Sequence, residues 1–253
     1  MERKYGYIKD KEDKRDFVYK LDLTRFPIAP KSDLREQCPP VYDQLNIGSC
    51  TGNGIAGAIQ FDFKKQNHPD YVPSRLFIYY NERRLEHTIH EDAGAMIRDG
   101  IKATKRWGAC PEKEWPYLTW KFDKRPSCKC YRIARNDKIT KYERLVSFDS
   151  YLSVLSQGYP IVFGFTVFES FSSSAVANTG ITPMPKLNEQ ILGGHCVLMV
   201  GHNNETRQIL CRNSWGSDWG IKGYFWLPYE YFTAVDKYND PLTADFWVIY
   251  TVL

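Results

Sequence analysis

No apolar run in this 253-residue chain approaches a membrane span. The longest lies within Tyr159–Phe168 and is broken by Pro160 and Gly164, well short of the ~20 residues a spanning helix needs. The N-terminus, MERKYGYIKDKEDKRDF, is charged from its second residue and has no apolar signal core, which predicts a soluble protein made without a signal peptide. A formal net charge of +4 is mild, and no stripe of Lys and Arg with interleaved aromatics occurs along the chain. Neither a nucleic acid nor a membrane is expected as a partner, and a monomer is expected. There is no internal repeat, no low-complexity tract and no CxxC pair; the closest cysteines are Cys128-Lys129-Cys130. That spacing is a weak zinc signal, so neither metal nor cofactor is expected.

Cysteines themselves are not scarce: seven stand at 38, 50, 110, 128, 130, 196 and 211. Cys196 and Cys211 fall inside apolar strand-like runs and read as buried hydrophobes. Cys38, Cys110, Cys128 and Cys130 lie in loop-like surroundings. Free thiols are the default for them, with disulfides in any of three connectivities, or a zinc site, left open.

Residues 1–30 are charged and end in the stretch FPIAP, which reads as an extension rather than a core element. Helical periodicity follows over Cys50–Phe63, over PSRLFIYYNERRLE with Pro73 and Ser74 as start signals, and over AGAMIRDGIKATKR at 93–106. A short helix within 147–158 stops at Gly158, and then β-rich runs dominate: PIVFGFTVF, HCVLMVG, QILCRNSW, GYFWLP and DFWVIYTVL. Gly201-His202-Asn203-Asn204 reads as a turn between two of them. This division predicts an α+β fold with a mainly helical part at 31–140 and a β-rich part at 141–253.

Cys50 opens the first of these helices. There the unpaired backbone N–H groups of a helix N-terminus favour thiolate over thiol. Gly52, Gly54 and Gly57 weaken the helix, which makes sense if other chain segments must pack closely against it. A thiolate nucleophile needs a basic partner, and the partner needs an orienting group. Of the five histidines, His68, His87 and His90 read as solvated and His202 as part of a turn. His195 follows Gly193-Gly194 and opens an apolar strand. Asn213 comes eighteen residues later, and its neutral amide can accept an imidazole N–H without adding charge.

Taken together, Gln44 six residues before Cys50, Gly194-His195, and NSWGSDWGIKGY at 213–224 resemble the papain-like cysteine peptidases, the cathepsin-like family C1. Gly194, RLFIYYNERR and IRDGIK resemble the branch of that family found in bacteria and large DNA viruses, of which a giant-virus cathepsin-B-like thiol protease is one comparison. The resemblance implies a helical left lobe and a barrel-like right lobe with a cleft between them. It also implies a cytoplasmic or, if viral, virion-packaged cysteine endopeptidase acting on polypeptides through a thioester. In it Cys50 is the nucleophile and His195 its partner. Asn213 orients the ring, Gln44 helps bind the oxyanion, and Trp215 shields the ring or simply packs. Gly94, Trp215 and Gly194 are expected to line the substrate cleft, although Gly94 reads equally as a helix N-cap region. Two departures stand out: Thr51 replaces an aromatic residue, and Gly194 replaces a carboxylate beside His195. Residues 1–30 are then a short propeptide, acting either as a latch on the cleft or as surface decoration. Two other readings use the same residues: acyl transfer to an amine, and a catalytically silent binding module.

Overall fold

A computed structural model describes residues 3–68 and 71–251. Among the described residues, six α-helices are α1 (Cys50–Lys65), α2 (Arg75–Glu86), α3 (Ile97–Trp107), α4 (Cys128–Ala134), α5 (Phe148–Ser156) and α6 (Ser174–Thr179). Nine strands among them are β1 (Tyr7–Ile8), β2 (Lys31–Asp33), β3 (Ala95–Met96), β4 (Ile139–Leu145), β5 (Ile161–Phe168), β6 (Ile191–Asn203), β7 (Gln208–Arg212), β8 (Tyr224–Pro228) and β9 (Thr243–Thr251). The mixture is the expected α+β.

Helix α1 is buried from Cys50 to Phe63, and its glycines explain how. A side chain on Gly52 would meet the Arg75 carbonyl, one on Gly54 the Cys196 sulfur, and one on Gly57 the Arg212 guanidinium. Each omitted Cβ lets α2, β6 or β7 reach the helix axis. Caps fix the neighbouring helices. Ser74 accepts the Phe77 N–H at the start of α2, and Ser147 and Ser150 cap α5 reciprocally.

Strands β4, β9, β5, β6, β7 and β8 form one antiparallel sheet in that order, with β2 paired to β6. Through β2, residues 31–33 add a strand to the sheet of the chain's C-terminal half. A long β6 carries His195 opposite Phe165 of β5 and Leu198 opposite Arg212 of β7, which brings the segment after β7 alongside His195.

Three expectations need correction. Residues 93–96 are not helical; Ala95–Met96 form β3, in parallel register with β1. His202 is not in a turn but inside β6, fully buried. Residues 128–134 and 139–145 form regular elements that the periodicity did not suggest.

Candidate active site

The segment from Asn213 to Trp215 leaves the end of β7 and turns back under His195. Asn213 N–H bonds to the Gly223 carbonyl, and Asn213 Oδ1 accepts the Ser214 N–H at 2.8 Å. The same oxygen lies 2.8 Å from His195 Nε2, so the ring donates there from Nε2. Trp215 stacks on the imidazole with centroids 5.0 Å apart and planes at 26°. Phe165, Phe171 and Trp219 complete the aromatic wall. Excluding water in this way strengthens the His–Asn bond and fixes the ring. His195 Nδ1 is left buried with no hydrogen-bond partner among the described residues.

Gln44 is held from the other side. Its backbone N–H bonds to the Ser214 carbonyl and its Oε1 accepts from Ser214 Oγ at 2.7 Å. This fixes the amide flip and aims Nε2 outward. Asp43 and Trp215 form a β-bridge that joins the Gln44 loop to the histidine side. Gln44, Cys50, His195 and Asn213, spread over 170 positions, thus converge where α1 meets β6.

Residues 3–10 run straight through this place. Arg3 pairs with Asp43 at 2.6 Å and Lys4 with Asp92 at 2.9 Å. The Lys4 carbonyl accepts from Gln44 Nε2 at 3.1 Å. Tyr5 packs edge-on to both His195 and Trp215, and its hydroxyl reaches Ser172 Oγ at 2.6 Å. The Gly6 carbonyl accepts the Ala95 N–H at 2.8 Å. Tyr7 lies over Gly164 and Gly194, where any Cβ would overlap it, and donates to Asp245 Oδ2 at 2.5 Å. Asp10 N–H reaches the same oxygen at 2.6 Å, while the Asp10 carboxylate accepts from Trp247 Nε1 and from the Arg98 N–H. Gly94 sits at φ +79°, and a Cβ there would overlap the Gly6 carbonyl. Glycine is required both by the dihedral and by the close approach. Gly94 and Gly194 therefore both pack against the chain's own N-terminal segment.

This segment reverses the electrostatics expected of the site. Burial pushes the Cys50 thiol up to about 12, and the backbone N–H groups of Cys196, Gly6 and Thr51 only partly oppose the rise. Burial likewise pulls His195 down to about 4 against the Asn213 hydrogen bond, and nearby Arg3 adds to the lowering. In this state the pair is neutral thiol and neutral imidazole, with no hydrogen bond between them. The expected acidic thiol is thus corrected: helix position favours thiolate, but complete desolvation outweighs it.

The papain family cysteine protease model matches residues 28–237. The chain belongs to the papain family of cysteine proteases. It is 43% identical to an uncharacterised peptidase C1-like protein of Acanthamoeba polyphaga mimivirus, over 99% of this chain and 88% of that one. Its fold superposes on xylellain, a cysteine protease from Xylella fastidiosa, with a TM-score of 0.91 and 44% identity, covering 100% of this chain and 99% of the other. A procathepsin B of Trypanosoma congolense shares the fold at TM-score 0.73 and 14% identity, over 98% of this chain and 87% of that one. The papain-like α+β architecture and a cysteine peptidase assignment stand on these matches.

All seven cysteines are free, and Cys128 alone is exposed. Sequence reasoning missed Tyr5, Gly6, Tyr7, Asp92, Ser214 and Asp245. The first three were visible only as the small-and-aromatic run YGYI in an otherwise charged stretch.

Proposed function

We propose that the protein is a cysteine endopeptidase held latent by residues 3–10. The observation carrying this reading is the placement of the Lys4 carbonyl on Gln44 Nε2 while the Gly6 carbonyl, two residues on, accepts the Ala95 N–H. A cleft built for a peptide is filled by one, presented the wrong way round. In a substrate, residues preceding the scissile carbonyl occupy the half of the cleft beside Gly94. Here that half holds Gly6–Ile8, which follow Lys4, and β1 runs parallel to β3. The segment therefore passes the sulfur in the direction opposite to that of a substrate.

With the strap withdrawn, solvent returns to the site and the helix N-terminus again favours thiolate paired with imidazolium. The thiolate forms a bond to the substrate carbonyl carbon, and Gln44 Nε2 with the Cys50 N–H binds the oxyanion. His195 gives its proton to the leaving amine as the C–N bond breaks. It then takes one from the water that cleaves the thioester, restoring thiol and acid product. Asn213 holds Nε2 throughout. No His-His insertion follows residue 110, so internal bonds are cut rather than C-terminal dipeptides removed.

Tyr7 marks the main side-chain pocket of the non-primed half, with Asp245 at its base. A hydroxyl-bearing or cationic side chain is preferred there over an aliphatic one. The test is digestion of a long peptide by the protein lacking residues 1–10, with products read by mass spectrometry. Internal cleavage following such residues supports the reading; stepwise dipeptide loss, or no cleavage, overturns it.

A further inference from the structure

Away from the cleft, the C-terminal ends of α2 and α3 meet the segment 125–138 around a concavity of about 570 Å³. Arg84, Arg106, Arg125, Arg132, Arg135 and Lys138 line it, and among the described residues no carboxylate does. None of the six belongs to an ion pair among the described residues. Of the acids nearby, Glu114 pairs with Lys129 and Asp123 with Lys124, while Asp137, beside Lys138, does not line the hollow. Helix C-terminal ends attract cations through the macrodipole. That accounts for Arg84, Arg106 and Arg132, which sit in last turns, and for Arg135 at the C-cap of α4, but not for Arg125 or Lys138. Six like charges facing one hollow repel one another, and a bound anion relieves that repulsion.

The geometry points to a binding site for a compact anion carrying several closely spaced phosphoryl groups. Five of the six cations are arginines, whose forked donors match phosphate oxygens two at a time. The volume is that of a small-molecule pocket rather than an open track for a polymer. Arg84 and Arg106 both lie 4.8 Å from the Trp107 ring centre. These contacts preorganise two of the donors and occupy the ring that would otherwise stack on a nucleobase. The site is not legible in the sequence, because its cations are spread over 54 positions from Arg84 to Lys138 and only the fold gathers them.

Calorimetry on the full chain in ~0.1 M salt, with tripolyphosphate and inositol hexakisphosphate as separate probes, tests the site and distinguishes a linear from a cyclic source. One equivalent of at least one probe binds. The double variant Arg106→Glu/Arg132→Glu weakens it by about a hundredfold or more, the loss of two charge-assisted contacts. The control Lys186→Glu/Lys237→Glu, with the same change in net charge, binds within about twofold of the parent. Cys128, exposed on the pocket wall, gives a second readout: bound probe slows its alkylation. Absence of binding, equal loss in the control, or tighter binding of a single-stranded oligonucleotide that strengthens with length would each overturn the proposal.

Discussion

Gly6 passes so close to Gly48 that a Cβ on Gly6 would overlap the Gly48 carbonyl. Both partners are backbone, so neither can swing aside. Gly6→Ala therefore expels the strap without touching a residue assigned to catalysis. Overpacking of this kind costs about 1–3 kcal/mol, so the open fraction rises by roughly 5- to 150-fold. Hydrolysis of a fluorogenic peptide by the full-length variant should rise in proportion. Unchanged or lower activity in a folded variant would exclude the latch.

Thiol reactivity should follow the same equilibrium. In the full chain Cys50 is buried and its thiol lies at about 12. Iodoacetamide at about neutral pH should then label Cys128 first. Removing residues 1–10 makes Cys50 the fast site, and adding His195→Ala to the truncated form slows it again. Rapid Cys50 labelling in the intact chain would contradict the buried state.

Asp10 gives strap docking a pH dependence of definite sign. Burial, reinforced by Asp245, raises its carboxyl to about 7 against the lowering hydrogen bonds of Arg98 N–H and Trp247 and the charge of Arg98. Arg144, which bonds both Asp245 and Asp16, flanks the same cluster. A free aspartate titrates near ~3.9. The docked state therefore keeps a proton that the released state gives up. Its contribution is complete below about 4 and is lost as pH rises through about 7. His195, lowered on docking, contributes with the opposite slope. Comparison with Asp10→Asn isolates the carboxyl. Relative to that variant, the parent should gain activity between about pH 5 and pH 8, and a flat activity ratio would remove Asp10 from the switch.

Gln44→Ala, made in the truncated protein, should lower kcat by about 10²–10³-fold with little change in KM, as expected for a donor that acts on the oxyanion. A KM effect alone would assign Gln44 to ground-state binding. Circular dichroism guards against loss of the Ser214 contact having disturbed the fold.

The residues NSWG, Gly-His and the Gln44–Cys50 spacing were readable because their chemistry leaves little freedom in residue type or order. Helix α2 announced itself through Pro73 and Ser74, and α5 through its stop at Gly158. What could not be read depended on partners remote in sequence. Ala95–Met96 looks helical and becomes a strand only because Tyr7–Ile8 lies beside it. Strand β4, at the edge of the sheet, carries charges on its open side and so lacks an apolar signature. The acidity of Cys50 was misjudged because helix position is local, whereas burial is set by a segment more than forty residues upstream.

That segment does more than plug a hole. Its contacts with Asp92, Ala95 and the Arg98 backbone lie on the helical side, while those with Ser172, Asp245 and Trp247 lie on the sheet side. Residues 4–10 therefore rivet the two halves together while denying access to the sulfur. On the latent-peptidase reading proposed above, shedding them frees the cutting edge and removes a brace in one event. A molecule switched on in this way has a shorter working life than one left locked, so its durability ends where its usefulness begins.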